Sequence, residues 1–397
     1  MIKSLIACVF ILFGVLACAA TNLPPVEDMP SLQLQMDERR LWNRSEEEQR
    51  RLDNSNYLYD DPTLTAYVND VAQGLIPEDI KAKGLSIQVR VIKNPLLNAF
   101  AYPNGVIYVH TGILCKMQNE AQLATLLGHE MTHVTYRHGI ENYRSYKNAT
   151  AVLATVQVAS IPFGVYGSLA NVLGSVGAMA AVSGYSRELE TEADQVGLDV
   201  MVKAGYDPAE SPRLFEFLKK DIEEQDIREP FFFGTHPRLQ ERIYNYNRFI
   251  GARYADKKGL KYEDRFMAKI TPLLLDNALL DLSMGRFRSA QNGIDRFLKI
   301  EPNSARGHYC MAEVFRQKGK PEDREKSIRE YNLAINCDPS FPKPHKGLGK
   351  IYYKQKRYEE ARLEFERYLS LNPEAEDRGY IEQYIKQVNT KLQEAQQ

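Results

Sequence analysis

Apolar residues recur at helical spacing along most of this chain, and only short stretches alternate. Residues 34–53 set Leu41 and Trp42 among charged neighbours, which predicts an amphipathic helix with those two side chains as its contacts. Asp61-Pro62 has the form of a helix start, an acceptor side chain before a first-turn proline, and opens a second helix toward Leu75. Leu85 to Ile92 alternates as a strand. Asn119 is a candidate N-cap, with Gln122 in the capping-box position, for a helix carrying Leu123, Leu126, Leu127, Met131 and Val134; Gly139 is its expected stop. A further helix runs from Ser186 through Val196, Leu198, Val200 and Met201 to Gly205.

The last third repeats. Ala290, Ser327 and Ala361 hold one equivalent position, and Ile294, Tyr331 and Phe365 hold the next large one four residues later. Pro302, Pro339 and Pro373 close the units at close to the roughly 34-residue period of a tetratricopeptide repeat, with about three extra residues near Lys320 to Lys326. Leu348, Gly349, Tyr352, Ala361, Phe365 and Pro373 put the third unit in the best register, and Glu374 to Gln397 is expected to cap the stack. Such repeats form a curved superhelix whose concave face binds peptides or proteins.

The chemistry lies in His129-Glu130-Met131-Thr132-His133. Residues four apart on a helix project side by side, so His129 and His133 can offer two imidazole nitrogens to one zinc ion, with Glu130 beside them as a proton acceptor and donor. A third protein ligand is needed. Glu190 and Asp194 are four apart on the later helix, which suggests Glu190 on the metal and Asp194 bonded to the far nitrogen of a ligand histidine. Periodicity alone does not reject Glu188 or Glu192; the aspartate four positions on selects Glu190. His138 lies nine residues beyond His129, about 180° around a continuous helix, and should not share the metal. His110 is a weaker candidate.

The pair His129-Glu130-x-x-His133 and Glu190-x-x-x-Asp194 resembles the HtpX-like and CaaX-prenyl-protease group of zinc metallopeptidases. Residues Asn98 to Gly112 resemble the strand–turn–strand before its zinc helix, and Thr235-His236-Pro237 with Arg242-Ile243 resembles its late histidine-proline motif. Pro103-Asn104-Gly105 departs from the two glycines usual in that turn; Asn tolerates the same φ > 0 geometry. The resemblance covers roughly residues 40 to 250. It implies a mainly α fold: a zincin-like α+β metallopeptidase domain with a small sheet (34–255), then an α-helical tetratricopeptide superhelix (268–397). One zinc ion per chain on His129, His133 and Glu190 is the expected cofactor, with Glu130 as general base. Asp194 and His236 are auxiliary catalytic residues. His236 stabilises the oxyanion or serves as a fourth ligand that silences the site. Val106, Ile107, Tyr108 and Val109 are expected to bind extended substrate by edge addition.

Composition narrows the setting. Lys and Arg total 51 against 52 Asp and Glu, without a basic stripe, which argues against nucleic acid as a partner. Residues 1–20 read as an export signal: Lys3, an apolar run from Ile6 to Leu16, then small residues. Val15-Leu16-Ala17-Cys18 approximates a lipobox, so lipidation of Cys18 and simple cleavage are both open. There is no C-x-x-C motif. Cys115 is expected in the core, and Cys310 and Cys337 form either a disulfide or two packed thiols.

No charge occurs between Lys147 and Arg187. A single membrane crossing there would put His133 and Glu190 on opposite sides of the bilayer, and the stretch is too short for two. A helical hairpin beside the active-site cleft, able to act as a cover, is the expectation. An exported protease of this group followed by such repeats resembles the bacterial proteases that tend outer-membrane β-barrel assembly. That implies a periplasmic enzyme, lipid-anchored if Cys18 is the lipidated residue, acting on misfolded or unassembled envelope proteins and docking on the assembly machinery through its repeats. The competing class is a periplasmic repeat scaffold or chaperone with a silent or structural zinc site.

Overall fold

The computed structural model describes residues 23–153, 173–183, 185–225 and 239–396. Residues 1–22 with Cys18, the middle of the uncharged stretch and the His236-Pro237 motif lie outside them. Fourteen longer helices are described: α1 (Met36–Asp53), α2 (Pro62–Leu75), α3 (Glu120–Thr135), α4 (His138–Leu153), α5 (Arg187–Lys203), α6 (Glu210–Gln225), α7 (Leu239–Arg253), α8 (Glu263–Ser283), α9 (Phe287–Ile300), α10 (Ala305–Lys318), α11 (Pro321–Cys337), α12 (Lys343–Lys354), α13 (Tyr358–Leu371) and α14 (Arg378–Gln396). The fold is mainly α with one small sheet, as expected. No described helix is long and apolar enough to cross a membrane.

The sheet has three strands, β1 (Gln88–Ile92), β2 (Ala99–Ala101) and β3 (Val106–His110), in the order β1-β3-β2. β1 lies parallel to β3, with Gln88 opposite Val106 and Ile92 opposite His110. β2 is antiparallel, with Phe100 opposite Tyr108. β3 is therefore the central strand, and all five of its residues are buried. This corrects the expectation that Val106 to Val109 bind substrate by edge addition: both flanks of β3 already carry ladder bonds. β2 is the edge strand. Tyr102 donates to Val106 and His110 to Asn98, so Ala99 and Ala101, at the alternate positions, turn their N–H and C=O groups away from β3.

In the β2–β3 turn only Gly105 takes a positive φ, of 91°, and a Cβ there would collide with the Ser86 carbonyl. Asn104 does not use the left-handed region expected of it. Its amide pairs with that of Gln49 on α1 at 2.8 and 3.1 Å.

Helix α3 is buried along its whole length. Asn119 caps it by accepting from the Gln122 N–H at 3.0 Å, and the buried Glu210 accepts from both side-chain amides at 2.8 and 3.0 Å. The expected stop at Gly139 is wrong. α3 ends at Thr135, and Arg137 turns the chain with a φ of 61°, held by its ion pair with Glu38. Gly139 is already inside α4, where a Cβ would come within 3.0 Å of Pro103. The side-chain pairing of Arg137 decides the turn, a contact across 99 residues that local glycine preference cannot reveal.

Within the uncharged stretch, residues 173–178 are helical and Met179–Ser183 forms a π-turn beside β2. Glu48 of α1 accepts from the Val176 and Gly177 N–H groups at 3.1 and 2.9 Å, and Tyr102 donates to the Leu173 carbonyl at 3.0 Å.

The repeat helices pair in chain order. Ala290, Ser327 and Ala361, with Ile294, Tyr331 and Phe365, fall on the second helix of successive pairs and are fully buried. The extra residues sit in α11, which has 17 residues against 14 in α9 and α13. Close packing is visible at Gly347, where a Cβ would collide with Tyr331. Cys310 is buried, Cys337 exposed, and both are free thiols; Cys115 is buried as expected. One apolar core runs from Val26 to Val314, so α8, α9 and α10 share it with the helices around the sheet. Polar contacts reinforce that union: Thr111 donates to Asn277 at 2.8 Å, and Arg296 donates to the Cys115 and Met117 carbonyls at 2.6 Å.

Candidate metal centre

α3 supplies His129 and His133 on one face, and α5 crosses it to supply Glu190. The two Nε2 atoms are 3.1 Å apart, and Glu190 oxygens lie 3.4 Å from His129 Nε2 and 3.6 Å from His133 Nε2. Among the described residues this is the one group with metal-ligand geometry, its ligand atoms all within 4.8 Å of one another. Two imidazole lone pairs and a carboxylate converging on one buried point fit a divalent ion of zinc type. Glu130 is 1% exposed at the next position on the helix. Glu188 is exposed, and Glu192 points elsewhere, as described below.

Asp194 Oδ1 is 3.0 Å from His129 Nδ1. Asp194 also accepts from Arg242 Nε at 3.1 Å and from the Tyr246 hydroxyl at 2.9 Å. Arg242 Nη2 lies 2.9 Å from His129 Nδ1 as well, but both are donors toward the shared carboxylate when Nε2 carries the lone pair. Burial opposes the charge on Asp194; Arg242 and the His129 bond outweigh it and hold the carboxyl below its usual range. Burial and Arg242 oppose protonation of the metal-free His129, yet Asp194 and Glu190 raise it to about 9. Arg242 is fully buried, with its guanidinium 4.1 Å above the Phe215 ring.

Tyr185 stacks on His133, with ring centroids 3.9 Å apart and planes 14° from parallel. Burial and the Glu130 and Glu190 charges push its hydroxyl pKa up, so it stays protonated. The sequence pattern did not single out Tyr185, Tyr246 or Phe215, because nothing in local spacing marks a residue whose partner is distant. Arg242 entered only through the resemblance. His110 is buried away from the cluster, and burial lowers it to about 3. His236 lies outside the described residues.

Residues 62–248 match the model of peptidase family M48. That stretch resembles an M48 metallopeptidase domain. Residues 342–375 match a tetratricopeptide repeat. Over 198 residues the chain is 28% identical to the beta-barrel assembly-enhancing protease of Escherichia coli K12, covering 49% of this chain and 40% of that protein. It is 32% identical over 180 residues to the mitochondrial metalloendopeptidase OMA1 of Schizosaccharomyces pombe (45% and 51%), and 35% identical over 138 residues to that of Arabidopsis thaliana (35% and 27%). The chain thus spans about half or less of each of these relatives. The M48 match contains every member of the metal cluster, together with Glu130, Asp194 and Arg242.

Proposed function

We propose that this chain is an exported zinc metalloendopeptidase that hydrolyses peptide bonds in misfolded or unassembled envelope proteins. The observation that carries the reading is the convergence of His129, His133 and Glu190 from two helices, with Glu130 buried beside them. His129, His133 and Glu190 would hold the ion, which when bound supplies Lewis acidity toward the scissile carbonyl and acidifies water. Glu130 takes the proton from the attacking water and returns it to the leaving amine. Asp194, fixed by Arg242 and Tyr246, keeps the His129 proton on Nδ1. An extended chain that adds along the outward backbone groups of Ala99 and Ala101 on β2 must first displace what buries them, since both residues are 4% exposed or less. Main-chain pairing of that kind carries little sequence preference and suits unfolded substrates.

The periplasmic setting rests on the leader at residues 1–20 and on similarity to the E. coli protease, whose name ties it to β-barrel assembly. The repeats are proposed to dock partner proteins, the outer-membrane assembly machinery among them. The late His236 is assigned to the same site by resemblance, as an oxyanion donor or as a fourth ligand.

The test is metal analysis of the purified protein together with cleavage of casein and an unfolded β-barrel protein, for the parent, Glu130→Gln and His236→Ala. Stoichiometric zinc in the parent with cleavage lost in Glu130→Gln supports the reading. Absence of zinc replaces it with a repeat-based scaffold, and equal cleavage by parent and Glu130→Gln rejects Glu130 as the base.

A further inference from the structure

A continuous helix would turn His138 away from His129, but the chain is not one helix here. Because α3 ends at Thr135 and Arg137 reverses the backbone, His138 folds back against the site. Its ring centroid lies 5.0 Å from that of His133, and the two Nδ1 atoms are 2.9 Å apart. On its other side, His138 Nε2 lies 3.1 Å from Glu192 Oε2. His138 is 1% exposed, whereas the Glu192 side chain is 45% exposed. Glu192 is two residues past Glu190 on α5 and so faces away from the cluster.

Proton placement along this row has one self-consistent solution when His133 serves as a ligand. A carboxylate only accepts, so Glu192 draws the His138 proton to Nε2. His138 Nδ1 then carries a lone pair and accepts from His133 Nδ1–H. The His133 lone pair is thereby left on Nε2, the atom turned toward His129 and Glu190. The reverse arrangement, with His138 donating from Nδ1, would force the His133 proton onto Nε2 and remove the lone pair from the metal site.

We propose that His138 and Glu192 are positioning residues that fix the tautomer of His133, as Asp194 does for His129. The two ligand histidines are thus oriented differently: His129 by a buried carboxylate in direct contact, His133 through an interposed imidazole that ends on a carboxylate at the surface. This inference rests on the metal-centre reading, and it assigns neither residue to the metal. Asn at position 138 keeps an amide oxygen able to accept from His133, whereas Ala does not. Outer partners of this kind carry about 10–100-fold in metal affinity.

The test is zinc affinity by chelator competition for the parent, His138→Ala, His138→Asn, Glu192→Ala and the surface control Glu188→Ala, with imidazole nitrogen NMR on the zinc-loaded parent. The expected result is about a 10–100-fold weaker affinity in His138→Ala, substantial recovery in His138→Asn, a smaller loss in Glu192→Ala and none in the control. NMR should show His138 protonated on Nε2. Unfolding curves of the metal-free variants separate a lost fold from a lost ligand; if His138→Ala does not fold, His138→Asn, Glu192→Ala and the tautomer still decide. Parent-like affinity in both Glu192→Ala and the folded His138 variants, or a His138 proton on Nδ1, overturns the proposal. A parent that binds no zinc overturns the metal-centre reading itself, so the two failures are distinct.

Discussion

Gly128 and Gly197 bring the backbones of α3 and α5 into direct contact. A Cβ on Gly197 would lie 2.7 Å from the His129 backbone nitrogen, and one on Gly128 would lie 2.8 Å from the Gly197 carbonyl oxygen. Glu190 is seven residues before Gly197, two turns along the same helix, so this close crossing sets how far its carboxylate reaches toward the histidines. Gly197→Ala should push the helices apart at the cost of about 1–3 kcal/mol. Zinc affinity should fall at least tenfold, and chelator competition beside urea unfolding checks both. Unchanged zinc affinity would show that the crossing distance does not govern the site.

Removing the proton acceptor separates chemistry from metal binding. Glu130→Gln keeps size and burial but cannot take a proton. Zinc content should match the parent while peptide cleavage falls by about 10²–10⁴-fold. Colorimetric zinc analysis and a fluorogenic peptide assay read the two quantities independently.

Arg242 and Asp194 form a fully buried ion pair, so breaking it from one side leaves a charge without compensation. Arg242→Met should destabilise the metal-free protein by about 3–5 kcal/mol. Asp194→Asn strands the Arg242 guanidinium, which cannot lose its proton, so it should destabilise the metal-free protein by at least a similar amount and also lower zinc affinity by about 10–100-fold. Chemical denaturation with and without zinc tests this; a loss in either variant no larger than in a surface arginine variant would refute it.

Asp281, on α8, predicts a pH effect. Burial raises its carboxyl to about 7, against the pull of Arg286 and Lys116. Arg286 Nε comes within 3.3 Å of Oδ1 but is not aligned for a hydrogen bond. The raised value means that folding favours the protonated acid. That contribution is fully present below the ordinary carboxylate value near 4 and is lost as pH rises through about 7. Asp281→Asn should therefore gain stability relative to the parent between pH 5 and pH 8, on the order of 1–3 kcal/mol. Thermal unfolding at both pH values measures it, and an equal difference at the two would reject the assignment.

Much of the site was legible because its signals are local. His129, Glu130 and His133 share a helix, and their spacing alone sets them on one face. Glu190 was chosen from several acids only by the aspartate four residues on, and Asp194 does lie 3.0 Å from His129 Nδ1. The edge-strand expectation failed for the opposite reason: Val106 to Val109 look the same in sequence whether central or at an edge, and strand order is a property of the whole sheet.

Periodicity and residue chemistry by themselves determined the helices that carry His129, His133 and Glu190 and the repeat register, since those depend on side-chain spacing within a segment. Tertiary structure decided which strand lies at the edge, where α3 stops and that His138 returns to face His133. Each of these hinges on partners far along the chain, such as Glu38 for Arg137, and a contact of that range leaves no periodic trace in sequence.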